Sequence, residues 1–309
     1  MSAPTEPSGI AAALRLDEPA RRSDAVELSA SMSHAAAFSV VAAECVDHWR
    51  SNEAELRLSR AAPHLHQTRV GLRRLRSAVS LFRRSLGSTP ADDVRRCAHE
   101  LRALALPFGH ARDLDVLLMG PLVDDLDEVQ AAGLLADREA AYDVVLAVLR
   151  SSSWAGACGR LDDVLAALAR VGAPLPLVIE AAPAALDLRL RRVVRSSGHL
   201  SSMEAAARHR VRIEAKKLRY GCEFFTSLFP AGEPRVSTGS GEVLVGMPAF
   251  ATAVEDVQSA LGALNDHATA DALLRRVGSH APAVHEADPL SAAETAVAHL
   301  TDLPVPWHR

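Results

Sequence analysis

Two segments of the chain begin with histidine and then repeat arginine or lysine at helical spacing. The first reads HQTRVGLRRLRSAVSLFRRSL from residue 66, and the second reads HRVRIEAKKLRYGCEFFTSLF from residue 209. Lysine occurs only at positions 216 and 217, so arginine is the default cation and the repeated spacing carries the information. Aligned without gaps, the segments pair His66 with His209, Arg69 with Arg212, Arg73 with Lys216, and Arg76 with Arg219.

On an α-helix, each histidine and its three cations would share one narrow face. At 100° per residue, the spacing i, i+3, i+7 and i+10 stays within about 80° of arc. Residues 66–86 contain no aspartate or glutamate that could neutralise the stripe. Arginine donates hydrogen bonds in a planar fork that matches phosphate oxygens. Two such stripes facing one space would suit a long, densely charged anion better than a single small phosphate.

Other interpretations of these residues stay open. A solvated helix face, balanced by the acids between residues 113 and 143, would explain the stripes without a ligand. For His66 and His209 we rank phosphate contact first, a structural role second and metal ligation third, because the neighbouring cations would repel a metal ion. Asp113 and Asp266 could act as catalytic bases, but we favour a role as N-cap or as the partner that orients an arginine.

The composition indicates that helices position these stripes. The chain has 309 residues, 49% of them hydrophobic and 4% aromatic, and its commonest residues are strong helix formers. Because the formal net charge is only −4, a polyanion would need a local patch. Four widely spaced cysteines without a CxxC pair argue against a disulfide framework or a zinc knuckle. No segment approaches the roughly 20 apolar residues of a membrane span, so we predict a soluble, cytoplasmic protein with no membrane partner.

Glycine and proline divide the chain into helices. Pro107 predicts one helix boundary. The stretch from Pro230 to Pro248 predicts a long surface loop, in which residues 243–245 form the one possible strand. Residues 108–113 resemble residues 261–266, in the same order as the two histidine-led segments.

These repetitions predict an internal duplication. We expect an all-α fold. Residues 1–32 are predicted to form a flexible N-terminal tail. One domain is predicted over residues 33–305, with a first repeat at about 33–150 and a second at about 180–305.

Four motifs together resemble the CHAD domain, the conserved histidine α-helical domain. They read HQTRVGLRRLRSAVSLF at 66–82, GHARDLDVLL at 109–118, HRVRIEAKKLRYGCEFF at 209–225 and LGALNDHATADALL at 261–274. The resemblance covers most of the chain, roughly residues 33–300. It implies a pseudo-two-fold bundle of antiparallel helices whose basic faces line a central cavity, binding of inorganic polyphosphate, and association with polyphosphate granules. We expect this binding to involve no catalysis and no cofactor. Carried over by position, it implies polyphosphate contacts from His66, Arg69, Arg73, Arg76, His209, Arg212, Lys216, Arg219, Tyr220 and Asn52.

Two other functions remain as alternatives. A metal-dependent phosphohydrolase acting on polyphosphate or nucleotides would need converging carboxylates or a phosphorylatable histidine. A nucleic-acid-binding module would interleave aromatic side chains with its cations. Only Tyr220 lies at the edge of a predicted stripe, so a nucleic-acid partner is unlikely on this pattern. The sequence leaves the oligomeric state open.

Overall fold

The computed structural model describes residues 9–83, 86, 88–170, 176–197, 200–229, 236–238, 241–243, 246–282 and 287–308. The predicted all-α class is confirmed, whereas the internal duplication stays a prediction. Short 3₁₀ helices cover Pro121–Val123, Leu200–Ser202, Thr226–Leu228 and Arg275–Val277. The α-helices, numbered α1 to α11 in chain order, are Gly9–Leu14, His34–Ser59, Ala62–Phe82, Ser88–Leu104, Pro107–Met119, Glu128–Arg150, Ser152–Ala169, Val178–Ser197, Ala205–Phe225, Met247–Leu274 and Ala287–Asp302.

Helices α2 and α3 form a tightly packed pair. Ser33 caps α2, because its hydroxyl accepts a hydrogen bond from the amide of Ala36 at 3.2 Å. The helix ends at Arg60, which adopts a left-handed conformation with φ 54°. At the crossing, Gly71 of α3 lies directly against Trp49 of α2, where an added Cβ would come within 2.6 Å of the tryptophan Cβ. A glycine is therefore required for this close approach.

The two histidine-led segments form α3 and α9, and these helices contact each other. Phe82 of α3 packs between Phe38 of α2 and Phe225 of α9, with ring centroids 5.5 and 5.3 Å apart. All three rings are fully buried. The aromatic contacts join the helices of both segments into one core. Arg74 strengthens the junction, since its buried side chain forms an ion pair with Glu223 of α9.

Helices α5 and α10 pack beside α3 and α9 through corresponding glycines. Pro107 occupies the first turn of α5, as expected from its missing amide donor, so the predicted boundary is confirmed. A Cβ added to Gly109 would lie 3.4 Å from the guanidinium of Arg69. A Cβ added to Gly262 of α10 would lie 3.3 Å from the guanidinium of Arg212. At both places a missing side chain leaves room for an arginine head group.

The prediction of a flexible tail is wrong for residues 9–32. Leu14, Val26 and Leu28 are buried in the core, and the amide of Leu28 donates to Ser227 Oγ at 2.8 Å. Arg21 pairs with acids on α2, including Glu44 at 3.5 Å. Widely spaced apolar residues anchor this segment without helical periodicity, so the pattern looked like a tail. Residues 1–8 lie outside the described residues.

The structure departs in two places from the long surface loop predicted between Pro230 and Pro248. The described part contains an antiparallel hairpin of β1 (Val236–Thr238) and β2 (Gly241–Val243). The predicted strand at 243–245 overlaps it at one residue, and its other two residues lie outside the described part. Helix α10 begins at Met247, with Pro248 in its first turn. Proline can start a helix there because its nitrogen needs no intrahelical partner.

In the described ranges, none of the helices is both long enough and apolar enough to cross a bilayer.

Candidate functional site

A cavity of about 660 Å³ lies between α3, α5, α9 and α10, and we call it the main cavity. Val116, Leu117 and Leu122 supply apolar lining. Four arginines, one lysine and two carboxylates face the same space, so basic groups outnumber acidic ones. The titratable side chains that line it are His66, Arg69, Arg73, Arg112, Asp113, Arg212, Lys216, Asp266 and His267.

Helical spacing explains how α3 and α9 present these cations. Arg69 and Arg73 are four residues apart on α3, so they lie on one face, one turn from each other. Arg212 and Lys216 repeat this spacing on α9. Since α3 and α9 pack together, both pairs reach the main cavity. Arg112 adds a fifth cation from α5.

Most of these cations lack a direct ion pair. Among the described residues, no carboxylate lies within ion-pair distance of Arg69, Arg73, Arg112 or Lys216. Arg212 contacts Asp266 at 3.5 Å, which is long for a charged hydrogen bond. The buried Nε atoms of Arg73 and Arg212 also have no hydrogen-bond partner in the described part of the protein. Both donors are therefore buried and unsatisfied.

Desolvation and mutual repulsion shift the pKa values of the cavity groups. Burial, together with repulsion from Arg73 and Arg212, lowers the pKa of Lys216 from 10.5 to about 7. Burial and the nearby Arg112 lower the pKa of His66 to about 4, so this imidazole is neutral at pH 7. Burial also lowers the pKa of Arg69 to about 10. An anion in the cavity would reverse these shifts, because a nearby negative charge favours each charged form.

The two carboxylates act mainly on the arginines. Asp266 accepts from Arg212, in agreement with the predicted role of orienting an arginine. Burial raises the pKa of Asp113, although Arg69 opposes that shift. Neither residue is an N-cap, since α5 begins at Pro107 and α10 at Met247.

Five of the ten predicted binding residues line the main cavity, namely His66, Arg69, Arg73, Arg212 and Lys216.

Tyr220 and Arg219, two predicted residues of the second segment, do not line the main cavity. Tyr220 is buried, so the sequence-based placement at the edge of the stripe is wrong. Its ring packs against cations, with the guanidinium carbons of Arg219 and Arg74 at 4.7 and 5.7 Å from the centroid. Arg219 pairs with Glu223 and donates to Gln258 at 3.3 Å. Its charge is therefore already partly neutralised.

The remaining three predicted residues lie elsewhere. His209 is exposed in the first turns of α9 and is absent from the lining of the main cavity. Asn52 is buried in α2, where its amide nitrogen donates to the carbonyls of Arg21 at 2.9 Å and His48 at 2.7 Å. It ties the N-terminal segment to α2. Arg76 lies one turn beyond Arg73 and lines a neighbouring groove.

Arg112 and His267 are cavity residues that the sequence analysis did not select. Arg112 falls within the repeated segment 108–113, but its aligned partner is the uncharged Asn265, so the repeat gives it no signal. His267 follows Asp266 directly and belongs to neither histidine-led stripe. Only the packing of α5 and α10 against the stripes brings both side chains to the cavity.

Metal-ligating side chains do not cluster in the described ranges, where no group of three or more His, Cys, Asp or Glu is arranged to hold a metal ion. The main cavity itself contains two histidines and two carboxylates among five cations.

Comparison with known proteins agrees with this all-α fold and its histidine-led helices. The family model of the CHAD domain matches residues 40–275, so the chain belongs to the CHAD domain family. A crystal structure of the CHAD domain from the plant Ricinus communis has a similar fold, with a TM-score of 0.66. Its sequence is 24% identical, and the match covers 92% of this chain and 90% of that chain. No curated protein matches the chain significantly.

Proposed function

We propose that the protein binds inorganic polyphosphate in the main cavity and performs no chemistry on it. The observation that carries the proposal is the set of five cations facing one enclosed space with only two carboxylates. Membership of the CHAD domain family supports the same ligand class. We further propose that the protein acts in the cytoplasm and associates with polyphosphate granules, which a fluorescent fusion would reveal.

The energetics favour a multivalent anion over a single charge. Each cavity cation is partly desolvated, so its interaction with phosphate is less screened than at an open surface. Arg73 and Arg212 line the cavity, and a guanidinium can hold two phosphate oxygens at once. Release of the counterions condensed on the polyanion adds a favourable, salt-dependent term. A chain of linked phosphates satisfies several cations while losing translational freedom only once.

Charge reversal at the centre of the cavity tests this proposal. We expect Arg73→Glu and Lys216→Glu each to weaken polyphosphate binding by more than about tenfold, because each removes a cation and introduces a repulsive carboxylate. Affinity is measured by isothermal titration calorimetry at fixed salt, and folding by circular dichroism. Arg170→Glu is the matched control, since Arg170 is exposed at the end of α7 and lies outside the cavity. Unchanged affinity in a folded Arg73→Glu, Lys216→Glu double variant would contradict the proposal.

A phosphohydrolase is the second candidate, because Asp113 and Asp266 line the same cavity as the cations. Such an enzyme would release orthophosphate from polyphosphate when supplied with Mg²⁺, and Asp113→Asn would abolish the release. Binding without hydrolysis under these conditions supports the first candidate. Hydrolysis that depends on Asp113 would replace it.

Competition with RNA separates polyphosphate binding from nucleic-acid binding. Tyr220, the aromatic residue that could have stacked with bases, is buried. Single-strand binders usually use exposed aromatics as stacking platforms. We therefore expect polyphosphate to displace RNA at equal phosphate concentration, whereas the reverse order of affinity would favour the nucleic-acid alternative.

A further inference from the structure

A second cationic recess lies beside the main cavity, between α3, α4 and the start of α5. Its volume is about 220 Å³, and it is lined by Leu72, Leu75 and Leu101 together with Arg76 and Arg102. A third recess of about 150 Å³ follows on the same side. It adds three basic side chains, Arg83, Arg95 and His99. We call these two recesses together the α3–α4 groove.

The groove is continuous with the main cavity through shared walls. Arg69 and Arg73 line both the main cavity and the 220 Å³ recess. Arg76 and Arg102 line both the 220 Å³ recess and the 150 Å³ recess. Arginines therefore follow α3 from residue 69 to residue 83, a distance of about 21 Å at 1.5 Å per residue. No gap in the basic lining separates the cavity from the groove.

The arginines of the groove are not neutralised by neighbouring acids. In the described ranges, Arg76, Arg83 and Arg102 have no carboxylate within ion-pair distance. Desolvation, followed by repulsion from Arg102 and Arg73, lowers the pKa of Arg76. Arg95 is the exception, because it pairs with Asp92 at 3.2 Å. A solvated helix face would carry interspersed acids, as the outer side of α4 does where Glu100 pairs with Arg160 of α7.

In the described part of the second segment, the cations next to the main cavity are paired with acids. Arg219, which aligns with Arg76, is paired with Glu223. Lys217 and Arg189 are both paired with Glu214. Cations without a carboxylate partner therefore continue beyond the main cavity along α3. The next cations on α9, Lys217 and Arg219, are paired.

We propose that a polyphosphate chain runs from the main cavity into the α3–α4 groove, so that Arg76, Arg102 and Arg83 bind phosphates that a short chain cannot reach. This inference rests on the proposed function and adds a preference for long chains. The cavity holds one end or one segment of the polyanion, and the groove holds its continuation. Affinity should therefore be higher for long chains than for short ones, because only long chains reach the cations of the groove.

The test compares long-chain polyphosphate with tripolyphosphate on the intact protein. We expect the Arg76→Ala, Arg102→Ala double variant to bind the long chain about tenfold more weakly and tripolyphosphate within about twofold of the original protein. The slope of log affinity against log salt should become shallower by about one to two for the long chain only. Arg73→Ala, in the wall shared by cavity and groove, should weaken binding of both ligands.

Arg160→Ala is the matched control, because it removes one exposed arginine on the opposite side of α4 and leaves the groove intact. Arg76 and Arg102 are exposed, so the variants should fold, and thermal unfolding checks this. Suppose that the original protein binds both ligands. If the double variant keeps its affinity for both, or loses affinity for both equally, the proposal that the groove binds polyphosphate is wrong, whereas the proposal for the main cavity stands. If the original protein binds neither ligand, both proposals fail.

Discussion

Lys216 shows how a single residue can link cavity charge to pH. Its ammonium lies near Arg73 and Arg212, without a carboxylate in ion-pair distance among the described residues, and its pKa falls to about 7. Burial is the largest cause, and the neighbouring guanidinium groups add to it. The free cavity thus holds a lysine that is only half protonated at neutral pH, and a bound anion would favour its protonated form.

Polyphosphate affinity should therefore fall as the pH rises above about 7. Below that pH, Lys216 is charged in both free and bound protein, so this residue adds no further pH dependence. Above it, binding must first take up a proton, which weakens affinity by about tenfold between pH 6 and 8 when the bound pKa lies well above 8. Calorimetry in buffers of different ionisation enthalpy should detect the proton uptake.

Lys216→Arg is the control for this pH dependence. Guanidinium stays protonated across the range, so the variant should bind polyphosphate with little change between pH 6 and 8. A pH profile identical to that of the original protein would show that another group is responsible.

At the scale of elements, the contact between α2 and α3 sets where the first cationic stripe lies. Gly71 allows the helices to approach so closely that an added Cβ would lie 2.6 Å from Trp49 Cβ and 2.9 Å from its amide nitrogen. Neither of these two Trp49 atoms can move easily, because Trp49 is fully buried and its indole nitrogen donates a hydrogen bond to Glu53 at 3.0 Å. The position of α3 depends on this glycine.

Gly71→Ala should destabilise the protein by up to about 2 kcal/mol. Overpacking of a close contact costs about 1–3 kcal/mol, and the better helix propensity of alanine offsets about 1 kcal/mol. The free energy of unfolding in urea measures the change.

Gly159→Ala in α7 is the matched comparison. No heavy atom lies within 4 Å of its added Cβ, so only the propensity term operates and stability should rise by about 0.5–1 kcal/mol. Equal effects at the two glycines would contradict the packing argument.

The cations that would bind an anion also destabilise the folded protein when no anion is bound. Four helices bring five cations to one cavity, and their repulsion is offset by only two carboxylates. Binding of an anion to the folded state alone stabilises it by mass action.

We therefore expect saturating polyphosphate to raise the melting temperature by about 5 °C at a concentration of about 100 times Kd, an effect of about 2.7 kcal/mol. High salt should abolish most of this shift. Lys216→Met should melt at a higher temperature than the original protein without ligand and show a smaller shift with it, since it removes a desolvated charge. Differential scanning calorimetry measures both, and a lower melting temperature for Lys216→Met would contradict the argument.

Local patterns along the chain were sufficient to predict the helical class, the boundary at Pro107 and the cationic faces of α3 and α9. Helical periodicity and proline stereochemistry act over a few residues, so the sequence expresses them directly. The same patterns misplaced the segment 9–32, because burial of Leu14 and Val26 depends on residues far away in the chain.

The membership of the cavity was decided only by tertiary packing. By itself, the sequence determined which side chains share a helix face, including Arg73 with Arg69 and Lys216 with Arg212. It did not determine that Arg74 would pair with Glu223 of α9, or that α5 would bring Arg112 to the cavity. Those outcomes depend on which helices pack together and at what distance, and such contacts join residues that have no fixed relation in the sequence.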